Sequence, residues 1–443
     1  MIEDDAPWPD DVDAPHEEED EPKPHLQVVT ARFRELIETL KPQPDPGVLA
    51  GLAKRKVGKG KDAVYVPDNT PLNVHNVLMY DPRWAGRIRW NDFAGEVEVR
   101  VPDDDDETRR PIDVMATMVV HWLECVYQIK TTEERVGREL NVVADFDRYS
   151  PVRDYLTALK WDKKPRLDRL MSHYLRAEDV PLHASLGRCW MVSAVARAFD
   201  PGCKVDTTLI LVGEQGSGKS TAAKVLASPK WFSDSLLDIH SKDLFESIHG
   251  VWIYELAELD AFSRSDWPKI KATLSSPADR YRRPYGKSSE RRLRSVVFIG
   301  TTNRDDFLGD PTGSRRFWCV RVGASRIAEL TADRDQLWAE AVTAFQRGLP
   351  WHLTETEAAD LAASNRKFET PHPWSDVIAD WMARTQVQQF RMADLLAECL
   401  GSQSRNPALD SVVVSGILRR MGWTSKQSTV GGVRSIWWQR PAP

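Results

Sequence analysis

Between Asp206 and Gly323, short apolar runs bounded by turn residues alternate with amphipathic stretches. That alternation is the pattern of a parallel sheet crossed by helices. It predicts strands at 207–212, 251–254, 295–300 and 317–322, with a closing helix at 326–347 stopped by Gly348. Upstream the period becomes helical. An apolar stretch covers 114–127, the run Thr131-Thr132-Glu133-Glu134 offers a capping box, and 151–170 and 183–199 read as further helices around a proline-marked turn. Residues 26–110 have weak periodicity, with a short helical stretch at 30–40 and turn-rich segments that include the Gly/Lys run 54–61. Past Pro371, helical patterns at 374–383, 392–400 and 411–421 precede two short strands, 424–428 and 433–439, joined at Gly431-Gly432. Three helices followed by a glycine-turned hairpin is the outline of a winged helix-turn-helix.

The domains expected from this pattern are an acidic tail over 1–25, a mostly helical accessory region over 26–165, a nucleotide-binding core over 166–350, and a linker with a winged helix over 351–443. A chain of 443 residues is long enough for several cores. No apolar run approaches the roughly 20 residues of a membrane helix, and the acidic start lacks the basic and apolar regions of a secretory signal, so a cytoplasmic protein is expected. The five cysteines form no CxxC pair, which argues against a zinc ribbon or a disulfide scaffold and for reduced, mostly buried thiols. Residues 1–23 hold eleven acids and one lysine, a contribution of −10 to the net −6, so the remaining chain stands at +4. The body is mildly basic, and the tail is too polar to order itself.

Residues 213–220 read GEQGSGKS, directly after the apolar TTLILV and directly before the helix-forming TAAKVLA. A phosphate chain is held compactly by backbone N–H groups at a helix N-terminus, and glycines allow the close approach. Here Gly213, Gly216 and Gly218 shape the loop together with Glu214, Gln215, Ser217 and Thr221, while Lys219 reaches the β and γ phosphates and Ser220 ligates Mg²⁺. The implied ligands are ATP and Mg²⁺. Such a site needs a carboxylate on a neighbouring strand, and Glu255, after the run VWIY, meets that need as a second magnesium-side group. Glu258 lies one helical turn further on as a candidate for orienting water. The strand SVVFIG ends at Thr301-Thr302-Asn303, where the Asn303 amide can sense the γ phosphate. Arg315 and Arg316 follow, either of them a candidate to stabilise developing charge from an adjacent subunit.

The stretch 280–294, RYRRPYGKSSERRLR, holds seven basic residues against one acid. It reads as a hairpin aiming Arg280, Arg282, Arg283, Lys287 and Arg291 at phosphates, with Tyr281 and Tyr285 able to stack on bases. Arg419, Arg420, Lys426 and Arg434 of the C-terminal module are candidates for gripping duplex DNA.

Several ordered segments resemble the virulence-associated protein E family of phages, satellites and integrated islands, itself similar to superfamily 3 and D5-type helicases. They are WDKKPRLDRL, PGCK, GEQGSGKS, WIYELAEL, DRYRRPYGK, FIGTTN, TGSRRFW and DQLWAEA, spread over roughly residues 150–370. The resemblance implies an α/β P-loop NTPase of AAA+-like fold. It also implies a ring-forming, ATP-driven motor on single-stranded DNA, with six subunits as the expected ring, the basic hairpin lining its pore and an arginine completing the neighbour's site. Primase or host replication proteins are the implied partners. Leu256 stands where many NTPases carry a catalytic glutamate directly after the magnesium acid, which leaves the role of Glu258 open. The first 150 residues contain no paired-acid primase site, so a helicase without its own primase is expected. Two other classes compete with it, an ATPase switch that acts on host replication without unwinding, and a DNA-binding regulator in which nucleotide is structural.

Overall fold

The computed structural model describes residues 43–100, 112–235, 247–257, 266–282, 289–308, 314–370, 372–401, 404, 406–430 and 433–440. The predicted stretch at 30–40 lies outside them. The chain divides into two compact units, residues 1–154 with 280–292 and residues 155–279 with 293–443.

Besides its helices, the first unit carries two small sheets. Strands β1 (Lys54–Val57) and β2 (Val64–Pro67) form an antiparallel pair inside the run expected to be turn-rich. Strands β3 (Ile88–Asn91), β4 (Glu96–Val99) and β5 (Arg148–Tyr149) form a second sheet. The cause is local. The sequence EVEV of β4 alternates with period two, and Val97 and Val99 point into the core while Glu96 stays exposed. The helices Pro71–Tyr80, Ile112–Tyr127 and Glu133–Asp145 supply the rest of that core, in which the Trp84 and Trp122 rings meet edge-to-face at 5.5 Å. Thr132 alone caps the third of these helices, accepting from the Arg135 amide. Tyr127 donates to the buried Asp81, whose other bonds come from the Arg83 guanidinium at 2.8 and 2.6 Å and the Arg83 amide at 2.9 Å. Burial alone would raise the Asp81 pKa, but those hydrogen bonds outweigh it and hold the carboxyl below its ordinary value.

The second unit is built on a five-stranded sheet of β7 (Phe232–Ser233), β8 (Ile253–Leu256), β11 (Val297–Thr302), β6 (Thr208–Val212) and β12 (Phe317–Arg321), in the spatial order β12-β6-β11-β8-β7. All four pairings are parallel. The sequences TLILV and VFIGTT are buried along their whole length, as a parallel sheet covered on both faces requires. Indole rings fasten helices to it. Trp190 on the helix Pro181–Phe199 donates to the Phe298 carbonyl at 3.0 Å, and Trp252 donates to Ala194 at 3.0 Å. Trp338, on the helix Ile327–Gln346, stacks on Trp252 at 4.3 Å and donates to Leu226. Each of these three indole N–H groups thus finds an acceptor.

The stretch 151–170 is not one helix. It runs helical over Pro151–Ala158, then irregular, then as short turns over Leu167–Arg169 and Leu170–Tyr174. Pro165 cannot donate to a continuing helix and restricts Lys164 before it, while Lys163 turns the chain at φ +67°. Strands β9 (Ala278–Arg282) and β10 (Ser289–Leu293) pair with each other. Residues 374–439 contain the helices Trp374–Thr385, Met392–Leu395 and Pro407–Arg420. Beside them is an antiparallel sheet of β13 (Gln389–Arg391), β14 (Thr424–Val430) and β15 (Val433–Gln439). β13 is too short to show a period. Trp381, Phe390, Val414, Leu418, Trp423 and Trp438 pack as the core of this module. All five cysteines are free thiols, with Cys189 and Cys319 buried and Cys125 exposed. Among the described residues no helix is long and apolar enough to cross a membrane.

Candidate functional site

Strand β6 ends at Val212, and the chain turns through six residues into the helix Lys219–Ala227. The turn depends on glycine at three points. Gly216 and Gly218 are left-handed, at φ +79° and +85°, and a Cβ on Gly213 would sit 2.6 Å from the Val322 carbonyl oxygen. Gly213 donates to the Thr302 carbonyl, which levels the turn with the end of β11. Glu214, Gln215, Gly216, Ser220 and Thr221 are exposed, with Ser217 and Gly218 half-buried.

Lys219 is only 7% exposed, and its ammonium donates to the carbonyls of Gly213 and Glu214, both at 2.8 Å, and to Asn303 Oδ1 at 2.9 Å. Burial pushes its pKa below the ordinary lysine value, against the opposing attraction of Glu255. The Ser220 hydroxyl donates to Glu255 Oε1 at 2.6 Å, and Thr301 donates to the same oxygen at 2.6 Å. Sheet register explains the convergence. Ile299 sits opposite Glu255, and Thr301, two residues further on, shares the face of Ile299. Five side chains from three segments, Lys219 and Ser220, Glu255, and Thr301 and Asn303, therefore meet at the carboxyl end of the sheet.

Glu255 differs in placement from the expected strand tip. It lies inside β8 and is 1% exposed, because two hydroxyls satisfy one of its oxygens. Oε2 is buried without a hydrogen-bond partner. A carboxylate with an open oxygen beside a hydroxyl is the hard donor set that Mg²⁺ takes, usually with few protein ligands, so the residues present fit that ion. Among the described residues no cluster of three or more His, Cys, Asp or Glu could hold a metal alone. Thr301 was not assigned a role from the sequence. Only the pairing of β8 with β11 brings it to Glu255.

The other candidates are dispersed. Glu258 lies outside the described residues, as do Arg283, Tyr285 and Lys287. Arg280 and Arg291 are exposed on β9 and β10, and Arg282 is placed in β9 by its backbone. Arg315 is exposed and has no ion pair with a described residue. Arg316 is engaged, donating to Ser275 Oγ at 3.1 Å with Asp206 at 3.9 Å. Below β9 and β10, Arg294 grips Asp279 through two bonds of 2.6 Å, both residues buried.

The fold defines an α/β protein, a five-stranded parallel sheet flanked by helices with a glycine-rich turn at the end of a central strand. Residues 156–370 match the family model described as the virulence-associated protein E-like domain, so this part of the chain is similar to that family. The span coincides closely with the region of resemblance in the sequence. Among solved structures, the chain is similar to the apo structure of the NrS-1 C-terminal region, at 12% identity and a TM-score of 0.46, over 86% of this chain and 99% of that one. An A form apo structure of the same region is 10% identical at a TM-score of 0.46, over 84% and 99%. No curated protein matches the chain.

Proposed function

We propose that the chain is an ATP-driven motor on single-stranded DNA, a replicative helicase or origin-melting initiator of a phage or mobile element, working in the cytoplasm of a bacterial host. The observation that carries this reading is the meeting of Lys219, Ser220, Glu255 and Asn303 at one glycine-rich turn. The turn acts as the P-loop. Lys219 exchanges its two carbonyl acceptors for the β and γ phosphates, and Asn303, released from the lysine, faces the γ phosphate and positions water. Ser220 and Glu255 would hold magnesium, which would supply neutralisation of the phosphate charge. Glu258 remains the candidate base, since Leu256 stands directly after the acid.

The reading extends to assembly and DNA. Arg315, exposed and without an ion pair to any described residue, suits a role in a neighbouring subunit's site better than Arg316, which Ser275 and Asp206 hold. Arg280, Arg282, Arg283, Tyr285, Lys287 and Arg291 would face the strand in a hexameric ring. The C-terminal module would act as a winged helix on duplex DNA, with primase or host replication proteins as partners.

Purified protein is expected to hydrolyse ATP faster with single-stranded DNA and to unwind a forked duplex. Lys219→Ala should abolish both, by at least about 100-fold. Normal unwinding by that variant refutes the motor. Hydrolysis without strand displacement would instead make the protein a switch.

A further inference from the structure

The glycine-rich turn has two sides. Glu255 and Asn303 come from β8 and β11 on one side of β6, so a triphosphate with its γ end toward them directs its nucleoside toward β12, on the other. The chain there is braced in layers. Val322 donates to Val212, and Ser325 donates to the Ser217 carbonyl at 2.8 Å, with its Cβ against Gly218. The Ser325 hydroxyl is buried without a hydrogen-bond partner. Behind this loop runs the segment before the helix Pro181–Phe199. Gly323 donates to Leu175 at 3.0 Å and Arg326 donates to Tyr174 at 2.8 Å.

Directly after those two acceptors in the chain comes Arg176. Its backbone is left-handed at φ +57°, an unfavourable conformation for a residue with a side chain, and strain of this kind concentrates at ligand sites. Gly323 makes room for it, since a Cβ there would lie 3.1 Å from Arg176 Cβ. The side chain is exposed, and its guanidinium has no ion-pair partner among the described residues.

We infer that Arg176 forms the base-side contact of the nucleotide site, its planar guanidinium stacking on the face of the nucleobase carried over the turn. This rests on the nucleotide reading above and adds a contact that acts on the nucleoside and not on the phosphates. The energetic consequence is separable. An arginine over a base contributes equally to ATP and ADP and nothing to a bare phosphate chain.

Titration calorimetry on the full chain with ATP, ADP and inorganic tripolyphosphate separates these contributions. Arg176→Ala is expected to weaken ATP and ADP by the same factor, about three- to tenfold, and to leave tripolyphosphate unchanged. Arg176→Gly serves as the second variant, because glycine adopts φ +57° without strain and should keep the melting temperature at or above that of the parent. Unchanged ATP affinity in both variants overturns the assignment, and so does an equal loss for tripolyphosphate, which would make Arg176 a phosphate contact. A parent protein that binds none of the three ligands removes the nucleotide reading itself, and this inference with it.

Discussion

The parallel-sheet core and the C-terminal module both carry many charges, but they hold them differently. In the core the critical charges are buried: Lys219 is 7% exposed, Glu255 1%, Asp279 4% and Arg294 2%. Each is enclosed by named donors or acceptors. In the module the cations stay near the surface, Arg391 forked on Asp394, Arg420 beside Glu369 at 3.3 Å, and Arg419 lying over the Trp438 ring. The contrast shows where charge is informative. A buried charge is costly unless it is satisfied, so an open position such as Glu255 Oε2 points to a ligand. A surface arginine resting on an acid or an indole reports packing of its stem.

The comparison breaks most sharply at the Arg294–Asp279 pair. Arg294→Leu leaves a carboxylate buried and unpaired, and should destabilise the fold by about 3–5 kcal/mol in denaturant titration. Adding Asp279→Leu should recover most of that loss. A mild effect of the single variant would mean that the pair is not sealed from water.

Next is Glu255→Gln, which keeps an oxygen for Ser220 and Thr301 while removing the charge. ATP binding should survive and turnover should fall about 100-fold or more, as measured by single-turnover hydrolysis. Turnover that stays near the parent's would remove Glu255 from the site.

A smaller effect concerns pH. Burial lowers the Lys219 pKa in the folded protein, so the unfolded chain binds more protons in the window from the depressed value up to the ordinary 10.5. Stability should therefore rise with pH across that window, and Lys219→Met should flatten the rise in thermal melts. An identical slope in the variant would place the titration elsewhere. The smallest effect belongs to the module. Arg420→Ala removes a partly exposed pair and should cost less than about 1 kcal/mol in the same melts. A larger loss would show that Glu369 is as dependent on its partner as the buried acids are.

Much of the site was legible because its logic is local. The glycines at 213, 216 and 218, the lysine and serine after them, and apolar strands before an acid or an amide are all contiguous signals. The misreadings share a different cause. β3, β4 and β13 span only three or four residues each, so neither the small sheets of the first unit nor the third strand of the C-terminal sheet stands out against the helical pattern around them. Arg176 belongs to no motif, and Thr301, although inside FIGTTN, gains its role only through the pairing of β8 with β11.

The sequence by itself determined a glycine turn between a buried strand and a helix, since φ preference, hydrophobic period and the chemistry of lysine and serine act within a few residues. Only the tertiary structure decided that β11 lies between β6 and β8, bringing Thr301 and Asn303 to Glu255 and Lys219, and that the segment at Arg176 backs the turn from the far side. Strand order and register arise from packing between residues distant in the chain, where burial of whole faces outweighs any local preference.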